Sequence, residues 1–178
     1  MPAQATALET STSSQAEPQT PAELARHLIE KLNGRDLDAV ESYWADDIHE
    51  DFTPLRLYRG KRAVRGFFDG LFGAFPDFEL AIDTVVGDDE SAFVSWRAVG
   101  TFTGGPFEGI TANGARVDIR GCDHMRFRDG KLYRNTVYYV GNGFARAIGL
   151  LPPMDSTAEN AMKTVFNTVT SVKKRFRG

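Results

Sequence analysis

The chain has a single cysteine and three histidines among 178 residues. One thiol cannot build an internal disulfide framework, and without Cys-His clusters or an HExxH pattern there is no zinc-binding signature. GxSxG, GxxxxGK[ST] and a GxGxxG between a strand and a helix are also missing, which removes the nucleophile-elbow, P-loop and dinucleotide readings. No run approaches the roughly 18 apolar residues of a membrane span. The opening MPAQATALETSTSSQAEPQ lacks a basic and a hydrophobic region, so it reads as a disordered leader over 1–19 rather than a secretory signal. A net charge of −3 gives no electrostatic footprint for nucleic acid or membrane. The low cysteine content agrees with a reducing compartment, and a cytoplasmic protein is expected.

What is present is enough apolar sequence, 42%, for one domain with a core. The strongest local pattern is Ala115 to Val140, two long strands joined at Asp129-Gly130, where both turn positions favour positive φ. On the first strand Val117, Ile119, Gly121, Asp123, Met125 and Phe127 share one face, and Arg116, Asp118, Arg120, Cys122, His124, Arg126 and Arg128 share the other. Asp123 is the ionisable residue on the apolar face. A carboxylate there must be paired, perturbed or functional.

Elsewhere the order is helices first, then strands, which argues an α+β domain with an antiparallel sheet. Thr20-Pro21-Ala22-Glu23 reads as a capping box opening a helix that Gly34 ends. Asp36 caps a second helix, Leu37 to Ala45. A short strand, Ile48 to Phe52, puts Glu50 on an inward face as a second carboxylate. Pro54 and Gly60 frame a loop before a third helix, Lys61 to Phe75, whose Gly66, Gly70 and Gly73 suggest close backbone packing because each costs about 1 kcal/mol against alanine. Strands follow over 78–86 and 91–102, and Asn113-Gly114 signals another hairpin. A short helix over 143–149 and the apolar exit Leu150-Leu151-Pro152-Pro153 lead to a tail over 154–178. There Met162, Val165, Phe166, Val169, Val172 and Phe176 recur at helical spacing before a basic end. That helix packs on its own domain, on a second copy, or on a partner or membrane surface.

His27, His49 and His124 read as surface residues and Cys122 as incidental. The remaining chemistry is metal-free acid–base work in a sheet-lined cavity, because a carboxyl in an apolar pocket has a raised pKa. Asp123 and Glu50 are the catalytic candidates. Trp96, Arg97, Tyr138, Tyr139, Phe67, Met125, Val137 and Val140 are expected to line the site, and tyrosine hydroxyls, Tyr133 included, could hold an enolate oxygen. The plainer reading makes Asp123 a structural carboxylate satisfied by hydrogen bonds.

Several runs carry a family likeness: Gly60 before the third helix, Ala74-Phe75-Pro76-Asp77, Gly100-Thr101-Phe102-Thr103-Gly104, Arg126-Phe127-Arg128-Asp129-Gly130-Lys131 and Ile148-Gly149-Leu150-Leu151-Pro152. With them the stretch from Ala22 to Pro153 resembles the SnoaL-like polyketide cyclase family of the nuclear transport factor two superfamily. The resemblance implies a cone of helices on a curved sheet around a pocket, no cofactor, a hydrophobic carbonyl substrate, and a homodimer through the sheet's outer face. It implies metal-free aldol-type ring closure, in a superfamily that also holds ketosteroid isomerase and epoxide hydrolases. The chain departs from it at the late-strand acid–base aspartate, where Val137 and Val140 stand. Ala147 replaces a common glutamine, and Asp123 takes the place of a histidine that faces that aspartate. Either the carboxylate has moved to Asp123, or the pocket only binds. An epoxide hydrolase, a third reading, would need Arg97, Asp123 and Glu50 to form a carboxylate–arginine–carboxylate set.

Overall fold

A computed structural model describes residues 20–53 and 55–175. The expected leader, Pro54 and the end of the tail lie outside the described residues. The helix α1 (Pro21–Asn33) begins as its capping box requires, with the Glu23 amide donating to Thr20 Oγ1 at 3.3 Å and the Thr20 amide donating to Glu23 Oε2 at 3.0 Å. It ends at Gly34, its C-cap, as expected, and the next residue is the unexpected one. Arg35, not Gly34, takes the left-handed conformation (φ 61°), and its guanidinium donates to the carbonyls of Pro76 and Phe78 and lies 4.0 Å over the Phe72 ring. Those contacts offset the backbone strain that glycine would have avoided.

Helix α2 (Leu37–Ser42) is shorter than its pattern suggested, because Trp44 already belongs to β1 (Trp44–Thr53) and pairs with Leu132. The helical spacing of Tyr43 and Trp44 reflects two aromatics turned into one core from different elements. The expected loop before Gly60 contains a strand, β2 (Arg56–Arg59), antiparallel to β1. After α3 (Lys61–Ala74) come β3 (Glu79–Gly87), β4 (Ser91–Thr101), β5 (Arg116–Arg128) and β6 (Lys131–Tyr139), then α4 (Gly141–Ala147) and α5 (Thr157–Arg175).

The six strands form one open sheet in the order β2-β1-β6-β5-β4-β3. It is antiparallel except at β1 and β6, which run parallel. That exception follows from connectivity: the meander β3 to β6 returns its last strand to the flank of β1, which was laid down before α3. Asp129 (φ 52°) and Gly130 (φ 69°) make the turn between β5 and β6. Asn113-Gly114 does not form a tight hairpin. The Gly114 amide instead donates to the Phe102 carbonyl at 2.8 Å and closes a longer loop.

Gly66, Gly70 and Gly73 do not mediate close packing, since a Cβ at each would meet nothing within 4 Å. The close approach is made by the backbone of the last turn of α3. Its carbonyls at Gly73 and Ala74 accept the Gly105 and Gly104 amides, each at 3.0 Å, so the loop after β4 caps the helix. Asp77 accepts the Thr101 amide at 2.6 Å and hydroxyl at 2.7 Å, and Phe75 stacks on Phe102 at 4.9 Å. This clasp joins the two motifs that carried much of the family likeness. A Cβ at Gly104 would lie 1.9 Å from the Gly73 carbonyl oxygen. Gly104→Ala should therefore destabilise the fold by about 1–3 kcal/mol, read as a lower urea midpoint at unchanged m value.

Candidate functional site

The sheet's inner face, α1, α3 and α4 line a partly open cavity of about 120 Å³. A single water needs about 10–15 Å³, so the space suits a small organic molecule. Most of its wall is apolar, with Phe67, Phe68, Phe72, Phe107 and Phe144 among the rings. Its polar groups are concentrated on the sheet, where Glu50 (β1), Asn135 (β6), Asp123 (β5) and Trp96 (β4) occupy adjoining strands.

Strand register brings them together. Glu50 lies across from Asn135, and Asn135 lies across from Met125, one inward step from Asp123. The Asn135 amide nitrogen donates to Glu50 Oε1 at 2.7 Å and to Asp123 Oδ2 at 3.2 Å. Trp96 Nε1 donates to Asp123 Oδ1 at 2.8 Å. The indole reaches that far because its cross-strand partner is Gly121, where a Cβ would fall 2.4 Å from the ring. Asn135 Oδ1 is buried without a hydrogen-bond partner.

Burial dominates the electrostatics. It pushes the Glu50 carboxyl up to about 8, helped by the negative charge of Asp123 and opposed by the Asn135 hydrogen bond. Burial also raises Asp123, to about 6, against the hydrogen bonds from Trp96 and Asn135. Two donors, Trp96 and Asn135, face Asp123 and only Asn135 faces Glu50, so the geometry favours the charge on Asp123 and a proton on Glu50. An acid and a base then stand side by side, titrating as a coupled pair.

Of the residues expected from sequence, Asp123, Glu50, Trp96, Phe67, Met125, Val137 and Tyr139 line the cavity. Three are corrected. Arg97 points to the outer face, where its Nε donates to Asp118 at 2.7 Å, because alternation puts it opposite Trp96. Tyr138 likewise alternates outward from Val137 and Tyr139 and is 51% exposed. Val140 has left the sheet to cap α4 and is 58% exposed. With Arg97 outside, the carboxylate–arginine–carboxylate set does not assemble. Tyr133 stands under the Arg128 guanidinium rather than at the cavity. His49 contacts Arg59, His124 stacks on Phe93 and His27 packs edge-on to Tyr43. Among the described residues no three His, Cys, Asp or Glu side chains are grouped to hold a metal.

Asn135 is the residue that sequence reasoning missed. The available signal was an amide sharing one face with Val137 and Tyr139, the same kind of anomaly that marked Asp123.

A curved sheet closed by helices over an inner cavity is the class of fold found in the nuclear transport factor two-like superfamily. Residues 25–135 match the SnoaL-like domain, and the chain belongs to that family. Among solved structures, a candidate SnoaL-like polyketide cyclase from Jannaschia sp. CCS1 superposes with a TM-score of 0.68 at 20% identity, over 78% of this chain and 98% of its own. AclR, a candidate hydroxylase from Streptomyces galilaeus, gives 0.64 at 22% identity, over 72% of this chain and 95% of its own. An LEH-like epoxide hydrolase from M. tuberculosis gives 0.59 at 17% identity, over 72% and 88%. At such identities these likenesses establish the fold alone, and the three carry three different activity names. Among curated proteins none is significantly similar in sequence.

Two outcomes test this geometry. Gly121→Ala should displace the indole from Asp123, shifting tryptophan emission and destabilising the protein by about 1–3 kcal/mol. Because the folded Glu50 carboxyl lies at about 8 against an ordinary 4.5, the folded state binds the extra proton between those values. Stability contributed by this group is thus full below about 4.5 and lost as pH rises through 8, with a slope of at most about 1.4 kcal/mol per pH unit. Urea melts from pH 5 to 8.5 should show this decline in the parent and a flatter profile in Glu50→Gln.

Proposed function

We propose that the protein is a cofactor-independent acid–base enzyme for a neutral, apolar carbonyl compound, with a polyketide-like substrate as the leading class. The observation that carries this is the Asn135 amide within hydrogen-bond reach of both buried carboxyls in one cavity. In this reaction Asp123 accepts the proton from the carbon next to the carbonyl, and Glu50 donates its proton to the carbonyl oxygen. The product of that step is an enol, and the negative charge moves from Asp123 to Glu50. The enol then returns its hydroxyl proton to Glu50 and either takes the Asp123 proton at the far carbon of a conjugated dienol, giving isomerisation, or forms a carbon–carbon bond to a second carbonyl whose oxygen takes that proton, giving aldol-type cyclisation. Trp96 orients Asp123, while the aromatic wall excludes water and binds the apolar remainder.

A second reading, a binding domain on the same scaffold, is favoured by a different observation. Both Asp123 oxygens already accept hydrogen bonds, and Val137 stands where the family's late-strand aspartate is expected. In that case the pair tunes affinity for a ligand without proton transfer.

The experiment is turnover and binding of a panel of cyclic and linear carbonyl compounds across pH 4.5–9.5. The enzyme reading expects kcat/KM to rise through about 6, as Asp123 ionises, and to fall through about 8, as Glu50 loses its proton. Asp123→Asn should lower kcat by roughly 10²–10⁴-fold while ligand affinity changes far less. Tight binding with no turnover in the parent, and equal affinity in both proteins, would sink the enzyme reading in favour of the binding one.

A further inference from the structure

Helix α5 leaves the domain and is not covered by it. Its first turn is tied down, since Glu159 accepts from Arg146, from Lys163 at 3.0 Å and from the Asp155 amide at 2.8 Å. Beyond that anchor nearly all the side chains are exposed, and among the large apolar ones Val165 at 63% and Phe166 at 70% are the most so. The helix is also a poor one on its own. Thr164, Val165, Asn167, Thr168, Val169, Thr170, Ser171 and Val172 all have low helix propensity, and an isolated helix of this length is marginal in water. Such a segment holds its helical form by burying its apolar stripe against something else.

The stripe itself identifies the occupant. Met162, Val165, Val169 and Val172 recur at alternating spacings of three and four, a heptad seam with Met162 and Val169 at a and Val165 and Val172 at d. A seam so short and regular is complementary to itself when two copies run in opposite directions. Met162 then faces Val172 of the second copy, and Val165 faces Val169, in four layers about a twofold axis. Phe166, at e, sits beside that axis and meets its own counterpart. Charge bears on the direction: the last turn carries Lys173, Lys174 and Arg175 and no acidic residue, while Glu159 at the other end is already paired with Arg146 and Lys163. Antiparallel pairing separates the two basic turns and opposes the two helix dipoles, whereas parallel pairing would stack the basic turns together. We propose that α5 is a dimerisation helix that pairs antiparallel with α5 of a second copy of this chain, closing an isologous twofold interface. This surface is separate from the outer sheet face and from the cavity, and it holds whatever reaction the cavity performs.

Sedimentation equilibrium of the full chain, from about 1 to 100 µM, is compared with the double variant Val165→Asp/Val169→Asp. Both positions are exposed in the protomer, so the variant should keep its cavity and its thermal transition while its mass at the upper concentrations halves. Direction is read by disulfide trapping. Mixing Val165→Cys with Val169→Cys chains should give an oxidised heterodimer in high yield, and neither alone should match it. A parent that stays monomeric throughout, or a double variant of unchanged mass, overturns the proposal. So does self-trapping of Val169→Cys at higher yield than the mixture. Co-sedimentation of a monomeric parent with phosphatidylserine vesicles would overturn it in favour of a membrane surface.

Discussion

Two carboxyl groups buried in one apolar cavity are the constraint on which the rest of this molecule turns. Neither can keep its ordinary ionisation there, because moving a carboxylate away from water costs several kcal/mol unless a donor or a proton compensates it. Compensation comes from three sources at once: the Trp96 indole, the Asn135 amide, and a proton held largely by Glu50. Every one of these depends on another strand. A shift of one residue in the register of β4, β5 or β6 would turn the corresponding side chain to the outer face and leave a bare charge inside.

Much of the scaffold can be understood as holding that register. The β5–β6 turn sets the offset between Asp123 and Asn135, and the parallel pairing of β1 with β6 brings Glu50 alongside. Gly121 provides the gap through which Trp96 crosses β5. At the far end, the clasp of Gly104, Gly105 and Asp77 on the end of α3 fixes the helix whose phenylalanines close the cavity. Ion pairs such as Arg97–Asp118 and Arg120–Asp83 occupy the opposite face of the same strands. They are solvent-exposed and contribute little stability, but they keep charge off the inner face.

The elements that sequence identified well are those governed by neighbours along the chain. The capping box of α1, the Asp129-Gly130 turn and the alternation of β5 all follow from interactions within a few residues, so their signals survive in the linear order. Asp123 was legible for the same reason, as a charge on an apolar face. Failures came where a distant partner decided the outcome. Trp44 looks helical until β6 pairs with it, Arg35 adopts a glycine-like conformation because Pro76 and Phe78 receive its guanidinium, and β2 exists because β1 offers an edge.

By itself, then, the order of residues determined an α+β domain of SnoaL-like type, an apolar sheet face with a carboxylate in it, and a tail able to form an amphipathic helix. These rest on periodicity, turn chemistry and capping, which act over short distances. Only the tertiary structure decided that Asp123 and Glu50 share one amide, that Asn135 supplies it, that Arg97 and Tyr138 face away, and that the α5 stripe lies uncovered. Those facts depend on strand register and curvature across the whole sheet. They place residues from four strands within a few ångströms of each other, and no local pattern in the chain encodes that distance.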